Sequence, residues 1–271
     1  MINVLAAAAI AAASFEAAPP ATAAPQPEAQ AQPALFAVGD ADTTVYIFGT
    51  FHALDGHTDW FRDNVRGAFE NSSELVLETL VPEGPDRSQL SAMPRYRGLM
   101  TPSASFLATT RMAIDAGRSQ GMQVNNGADM ILRHVAESEG KTVEGLETLE
   151  SQLNMFTKMP PAGTHEPRPG EPVPETPPMD SLSKSMAEMQ AAWKRGDQSV
   201  FVRMLTQLNA TSPVTYRMMF TERNARWADW IRARLQTPGT VFVAVGAGHL
   251  AGKDSLLVQL AERGIRSQRV N

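Results

Sequence analysis

Cysteine is absent from all 271 residues of the chain. Its absence excludes disulfides, thiolate nucleophiles and cysteine-bound zinc, so any metal has to sit on His, Asp or Glu. A positive excess is missing too, because 24 Lys and Arg stand against 29 Asp and Glu for a formal net charge of -5. Nucleic-acid binders need a basic footprint, and DNA and RNA are set aside as partners. No apolar run is long enough to span a bilayer, which argues against an integral membrane segment in the mature protein. Hydrophobic content is nonetheless 43%, ample for a sizeable core.

The first stretch, MINVLAAAAIAAASFEAAPPATAA, is apolar over residues 4–13 and carries a small-residue Ala21-Thr22-Ala23 site. Residues 1–23 therefore read as a signal peptide, which places the mature protein in the periplasm or outside the cell. The basic residues that usually open such a signal are missing, and an unstructured Ala/Pro leader is the alternative. Residues 24–33 are Pro, Gln, Glu and Ala without apolar periodicity, a flexible lead-in to a domain over 34–271.

Two short β-prone runs, 35–38 and 44–48, flank Gly39-Asp40-Ala41-Asp42, turn chemistry that predicts a hairpin. The second run delivers Gly49-Thr50-Phe51-His52. Trp60, Phe61, Val65 and Phe69 have helical spacing and predict a helix over 58–70, after which Glu74-Leu75-Val76-Leu77-Glu78 reads as a strand. Helices are expected at 103–117 and 127–140, then a strand at 142–146 and a helix carrying Leu149, Leu153 and Phe156. Between 159 and 179 proline is too frequent for helix or sheet, so the segment reads as an exposed insertion. Three helices follow, over 180–194, 197–208 and 213–235, whose methionine-rich faces read as core rather than as a cofactor box. The chain closes with a strand at 240–245, the turn Gly246-Ala247-Gly248-His249, a helix at 254–263 and a short strand near 265–270. The expected fold is α/β, a central mixed, mostly parallel sheet flanked by helices with a helical insertion.

Aligned, VYIFGTFHALDG and FVAVGAGHLAG show one device twice: a strand, then Gly-x-x-His, then another glycine. Chance gives roughly a third of a Gly-x-x-His match at this composition, so two are a modest enrichment. Position adds weight, because His52, Glu78, Glu147 and His249 all fall at or just after predicted strand ends, where open α/β sheets place their crevice. The glycine before each histidine suits a chain leaving its strand at a sharp angle, and its missing side chain admits a ligand. Two neutral imidazoles and a carboxylate suit a divalent metal that lowers the pKa of its water. Without a metal, the same histidine and glutamate form a general base pair on water. The blander alternatives are that His52 and His249 cap the helices that follow and that Glu78 faces solvent. His57 in a loop, His134 on a helix and His165 in the insertion read as ordinary surface residues.

GTFHAL, ELVLE, EGLETLESQL, ERNARWADWI and the closing VAVGAGHLAGKDSLLVQLAERGI together resemble the TraB/GumN family over nearly the whole mature chain. The resemblance implies the erythromycin-esterase/ChaN-like type of α/β fold. Its relation to the Tiki proteins implies a metal-dependent hydrolase, and a peptidase among hydrolases. It further implies His52, Glu78 and His249 as ligands of manganese, cobalt or zinc, with Arg223 steadying the anionic transition state. Glu147, with Gln152, matches a mid-chain segment of the family and reads as support behind the ligands, or as a charge favoured at a helix N-terminus. A peptide or a polysaccharide-related substrate is the expected partner, and nothing in the pattern assigns an oligomeric state. Two rival readings stand beside this one. The first is a non-enzymatic periplasmic binding factor for envelope or exopolysaccharide assembly. The second is a metal-free esterase with His52 as base.

Overall fold

In the computed structural model, residues 30–80, 104–160 and 179–271 are described, side chains excepted at 104–109. The expected signal peptide at 1–23, most of the leader at 24–33 and the body of the insertion at 159–179 lie outside the described residues.

The hairpin forms as expected, with β1 (Leu35–Gly39) antiparallel to β2 (Thr43–Thr50). Its turn is closed by Asp40, whose carboxylate accepts from the Asp42 and Thr43 N–H groups. Then come α1 (Asp63–Glu70), β3 (Glu74–Thr79), α2 (Ala104–Ser119), α3 (Ala128–Ser138), β4 (Thr142–Glu147) and α4 (Leu149–Lys158). Helices α5 (Met179–Lys194), α6 (Ser199–Thr211), α7 (Pro213–Tyr216) and α8 (Glu222–Arg234) follow, with a π-helical turn, Arg217–Thr221, joining the last two. The chain ends with β5 (Gly239–Gly246), a 3-10 turn (Ala247–Leu250), α9 (Leu256–Glu262) and β6 (Gln268–Arg269).

The six strands form one sheet in the order β4-β3-β5-β2-β1-β6. β4, β3, β5 and β2 are mutually parallel, while the β1 pairings with β2 and β6 are antiparallel, so the sheet is mixed and mostly parallel. Period-two alternation splits the central strands between two cores. Phe48, Leu75, Leu77, Phe242 and Ala244 face the larger one, under α1 to α6. Val45, Ile47, Val76, Val241, Val243 and Val245 face the smaller one, closed by Trp227 and Ile231 of α8 and Leu256 and Leu260 of α9. Among the described residues no helix is long and apolar enough to cross a membrane.

Two elements differ from the sequence pattern. The helix expected over 58–70 begins only at Asp63, because the Asp55 carboxylate captures the His57 and Thr58 N–H groups and holds the chain in a loop. That loop drops Trp60 onto Phe48, ring centroids 5.5 Å apart. The helix expected over 213–235 is interrupted by the π-helical turn, which shifts Met219 and Phe220 relative to Arg223.

Phe48 is the hub of the larger core, in ring contact with Trp60, Trp193 and Phe242. Trp193 also donates its indole N–H to the Gly49 carbonyl at 2.7 Å, tying α5 to the strand that leads to His52. Phe48→Ala is expected to cost about 3–5 kcal/mol, measured as the change in urea-unfolding free energy.

Candidate active site

Parallel pairing brings the carboxyl ends of β2, β5, β3 and β4 to one edge of the sheet. Thr50 stands opposite Gly246, and Thr79 opposite Glu147. His52, Glu78 and His249 converge there and line one cavity, and all three are buried, at 8%, 2% and 3% exposure. The capping alternative fails for both histidines. No helix begins at His52, and His249 sits inside the 3-10 turn. Glu78 is inside the protein, whereas His57 and His134 are exposed.

His52 is held from behind. Its Nδ1 lies 3.2 Å from Oδ1 of Asp129, in the first turn of α3, an ion-pair contact rather than a straight hydrogen bond. The Ala128 N–H donates to the Phe51 carbonyl at 3.0 Å, fixing the start of α3 against the histidine loop. Gly127 permits that approach, since a Cβ there would overlap the His52 carbonyl. Burial opposes a charge on His52, but Asp129 and Glu78 outweigh it and hold the imidazole above its usual 6.5.

Glu78 is ionised for a different reason. Its Oε2 accepts from Nη2 of Arg223 and its Oε1 from the Gly246 N–H, both at 2.7 Å. Burial alone would raise its pKa; Arg223, the two histidines and the amide bring it down to about 2. Arg223 is fully buried, donates also to Glu147, and lies over the Trp227 ring at 4.5 Å. Gln152 completes this layer by donating to Glu147 at 3.3 Å.

One carbonyl fixes the state of His249. Asn224 spends its amide N–H on the Asp254 carbonyl, so its oxygen faces Nδ1 of His249 at 2.7 Å. Nδ1 is then the protonated nitrogen, and Nε2 is free to accept from Nη1 of Arg223 at 3.2 Å. Burial pushes His249 down to about 3, which agrees with a neutral ring beside a guanidinium.

The expected metal set can be tested on these contacts. His52 Nε2 and Glu78 Oε1 face a common point, 3.1 and 3.2 Å from where a Cβ on Gly246 would stand. The third donor stands close by, its Nε2 3.8 Å from Glu78 Oε1, but Arg223 uses the lone pair of that His249 nitrogen and also occupies Glu78 Oε2. Among the described residues no group of three or more His, Asp and Glu is placed to hold an ion. The three residues as arranged do not fit a divalent cation, since a second cation would have to displace the guanidinium.

All four expected site residues thus meet, with Arg223 behind Glu78 and His249 rather than on the cavity wall. Glu147 and Gln152 support Arg223, as the resemblance implied. The glycines differ from expectation in their physical role. Gly49 and Gly246 have no positive φ; instead a Cβ on Gly49 would press on Ala247 and Leu250, and one on Gly246 on His52 and Glu78. Sequence reasoning missed Asp129 and Asn224. The only signals were an acid in the first turn of a predicted helix and an amide next to Arg223.

Compared with known proteins, the chain matches the model of the TraB/PrgY/gumN family over residues 34–105 and 98–269. No curated protein and no solved structure matches it.

Arg223→Met leaves Glu78 buried without its cation, while half-buried Glu147 keeps only Arg226 at 3.8 Å, and the substitution is expected to cost about 3–5 kcal/mol in unfolding free energy. Arg223→Lys should not restore it, because one ammonium cannot reproduce the fork that reaches both carboxylates. Acid sensitivity follows from His249. Between pH 6.5 and about 3 the unfolded chain protonates this residue and the folded chain does not, so stability falls as pH falls through that window. The His249→Asn variant should lose less stability than the parent between pH 6.5 and 5 in urea titrations, and equal losses would contradict the neutral buried ring.

Proposed function

We propose that this chain, which belongs to the TraB/PrgY/gumN family, is a hydrolase that attacks carboxylic esters or amides, peptide bonds included, with water activated by His52. The observation that carries this reading is the Asp129–His52 pair. Asp129 binds Nδ1 and leaves Nε2 directed at a buried cavity beside an ionised carboxylate.

In the proposed reaction neutral His52 takes a proton from water on Nε2 as the water oxygen bonds to the substrate carbonyl carbon, and the carbonyl electron pair moves onto oxygen. Asp129 stabilises the imidazolium so formed. The tetrahedral centre then collapses, the bond to the leaving oxygen or nitrogen breaks, and that atom takes the proton back from His52. The products are a carboxylic acid and an alcohol or amine. Glu78, kept ionised by Arg223, orients the water and favours the imidazolium by its charge. Arg223 and His249 act through Glu78, which departs from the direct oxyanion role that the resemblance implied for Arg223. No step runs through a metal, since the ion would have to displace Arg223. An exported location is part of the proposal and rests on the N-terminal sequence pattern alone.

The test uses protein purified without chelator, a panel of p-nitrophenyl esters and peptide anilides, and elemental analysis. Turnover that survives EDTA and falls about 100-fold or more in His52→Ala is expected for a general base. His52 titrates above 6.5 and must be neutral to act, so the rate should rise with pH through that raised value. Asp129→Asn removes the charge that favours the imidazolium, so the rising limb should move to lower pH while the plateau drops. Turnover lost in EDTA and restored by manganese, cobalt or zinc would overturn this mechanism in favour of a metal-dependent one. A folded protein with no turnover on the panel would leave the non-enzymatic binding reading.

A further inference from the structure

The cavity in front of His52 holds about 470 Å³, within the range of small-molecule sites. Five methionines stand in its wall: Met186 and Met189 from α5, Met204 from α6, Met219 from the π-helical turn and Met122 after α2. The sequence pattern assigned such methionines to the core. They are buried, yet they enclose open space instead of closing it.

Methionine walls are apolar, flexible and polarizable, and adapt to a chain of variable shape. Four ionisable groups line the cavity. His52, Glu78 and His249 stand at the buried end, while Arg118 lies beside exposed Gly121 and Gln123 at the mouth. A peptide laid along the methionines of α5 and α6 would bring an N–H and a C=O per residue, and those helices have already paired their own. An alkyl chain brings neither. At the buried end a second feature points to a ligand. Thr50 lines the cavity and is 1% exposed, and its Oγ1, itself closed to solvent, has no hydrogen-bond partner. Thr50 is two residues before His52, so a carbonyl oxygen bound to its hydroxyl would be presented beside the imidazole.

We propose that the cavity is an acyl-chain site, and that the group cleaved at His52 is the ester or amide of a medium- to long-chain fatty acid. The chain lies along the methionines and the carbonyl oxygen accepts from Thr50 Oγ1. This inference rests on the hydrolase reading of His52, and the experiment separates the two.

The first arm measures binding without turnover, using cis-parinaric acid fluorescence on the His52→Ala protein. Saturable binding that dodecanoate displaces and butyrate does not is the expected result. No binding, or equal displacement by a hydrophobic tripeptide amide, would overturn the acyl site whatever the catalytic result. The second arm compares p-nitrophenyl dodecanoate with butyrate in the parent, where kcat/KM should be at least about tenfold higher for the longer chain. Ile114→Trp places bulk at a partly exposed wall position and should reverse that preference, with butyrate turnover retained as the control for folding. Thr50→Val should lower kcat on both esters while leaving parinaric acid binding intact. A preference for butyrate in the parent would overturn the proposal. Parinaric acid binding with no turnover of p-nitrophenyl dodecanoate or of the corresponding dodecanoyl anilide would uphold the acyl site and sink the hydrolase reading, together with the cleavage assigned to His52.

Discussion

A guanidinium without water must be neutralised where it stands, and the edge of the sheet that carries the site is organised around that requirement. Arg223 is wholly buried between Glu78 of β3 and Glu147 of β4, and its remaining hydrogen bonds reach His249 and the Met219 carbonyl. Pairs of this kind contribute little net stability against an apolar replacement of the same shape, because two charges lose their hydration. What they impose is arrangement. Glu78 is kept ionised, its second oxygen is turned to the Gly246 amide, and the His249 ring is kept neutral. Helix α8, strands β3 and β4 and the turn after β5 are therefore locked to one another by charge at the site, and α8 is pinned to β3 a second time where Arg234 meets Glu74 at the far end of the strand.

Strand ends were the most legible part of the sequence, for a physical reason. A buried parallel strand is a continuous β-branched run, and the residue after it is forced to the sheet edge, so His52, Glu78 and His249 are located once the strands are. Asp129 carries no comparable mark. Its contact with His52 depends on α3 starting against the Phe51 carbonyl, a tertiary fact. The same holds for Asn224, whose meaning comes from the Asp254 carbonyl that turns its amide. Gly246 shows how a correct expectation can rest on the wrong cause: its value is room for two side chains, and its backbone angle is ordinary.

Periodicity also says which face of a helix is apolar without saying how well that face is filled. The methionines of α5 and α6 satisfy the pattern of a packed core, and the space they leave depends on the distance to α2 and to the π-helical turn. That turn is itself invisible in composition. Its effect is to set Met219 and Phe220 toward the cavity while Arg223, a few residues on, faces the carboxylates.

Strand order has a consequence for how the molecule comes together. β5 lies between β2 and β3 in the sheet but follows both in the chain. Until it arrives, β1 with β2 and β3 with β4 are separate ribbons with no shared neighbour, each with an unpaired edge. The pairings that unite them span nearly two hundred residues of sequence, the kind of long-range closure that makes folding slow. The same insertion brings Gly246 and His249 to His52 and Glu78, so the site comes into being in the step that completes the fold. A chain interrupted before β5 is left with open edges prone to pair with other chains, and with half of its chemistry.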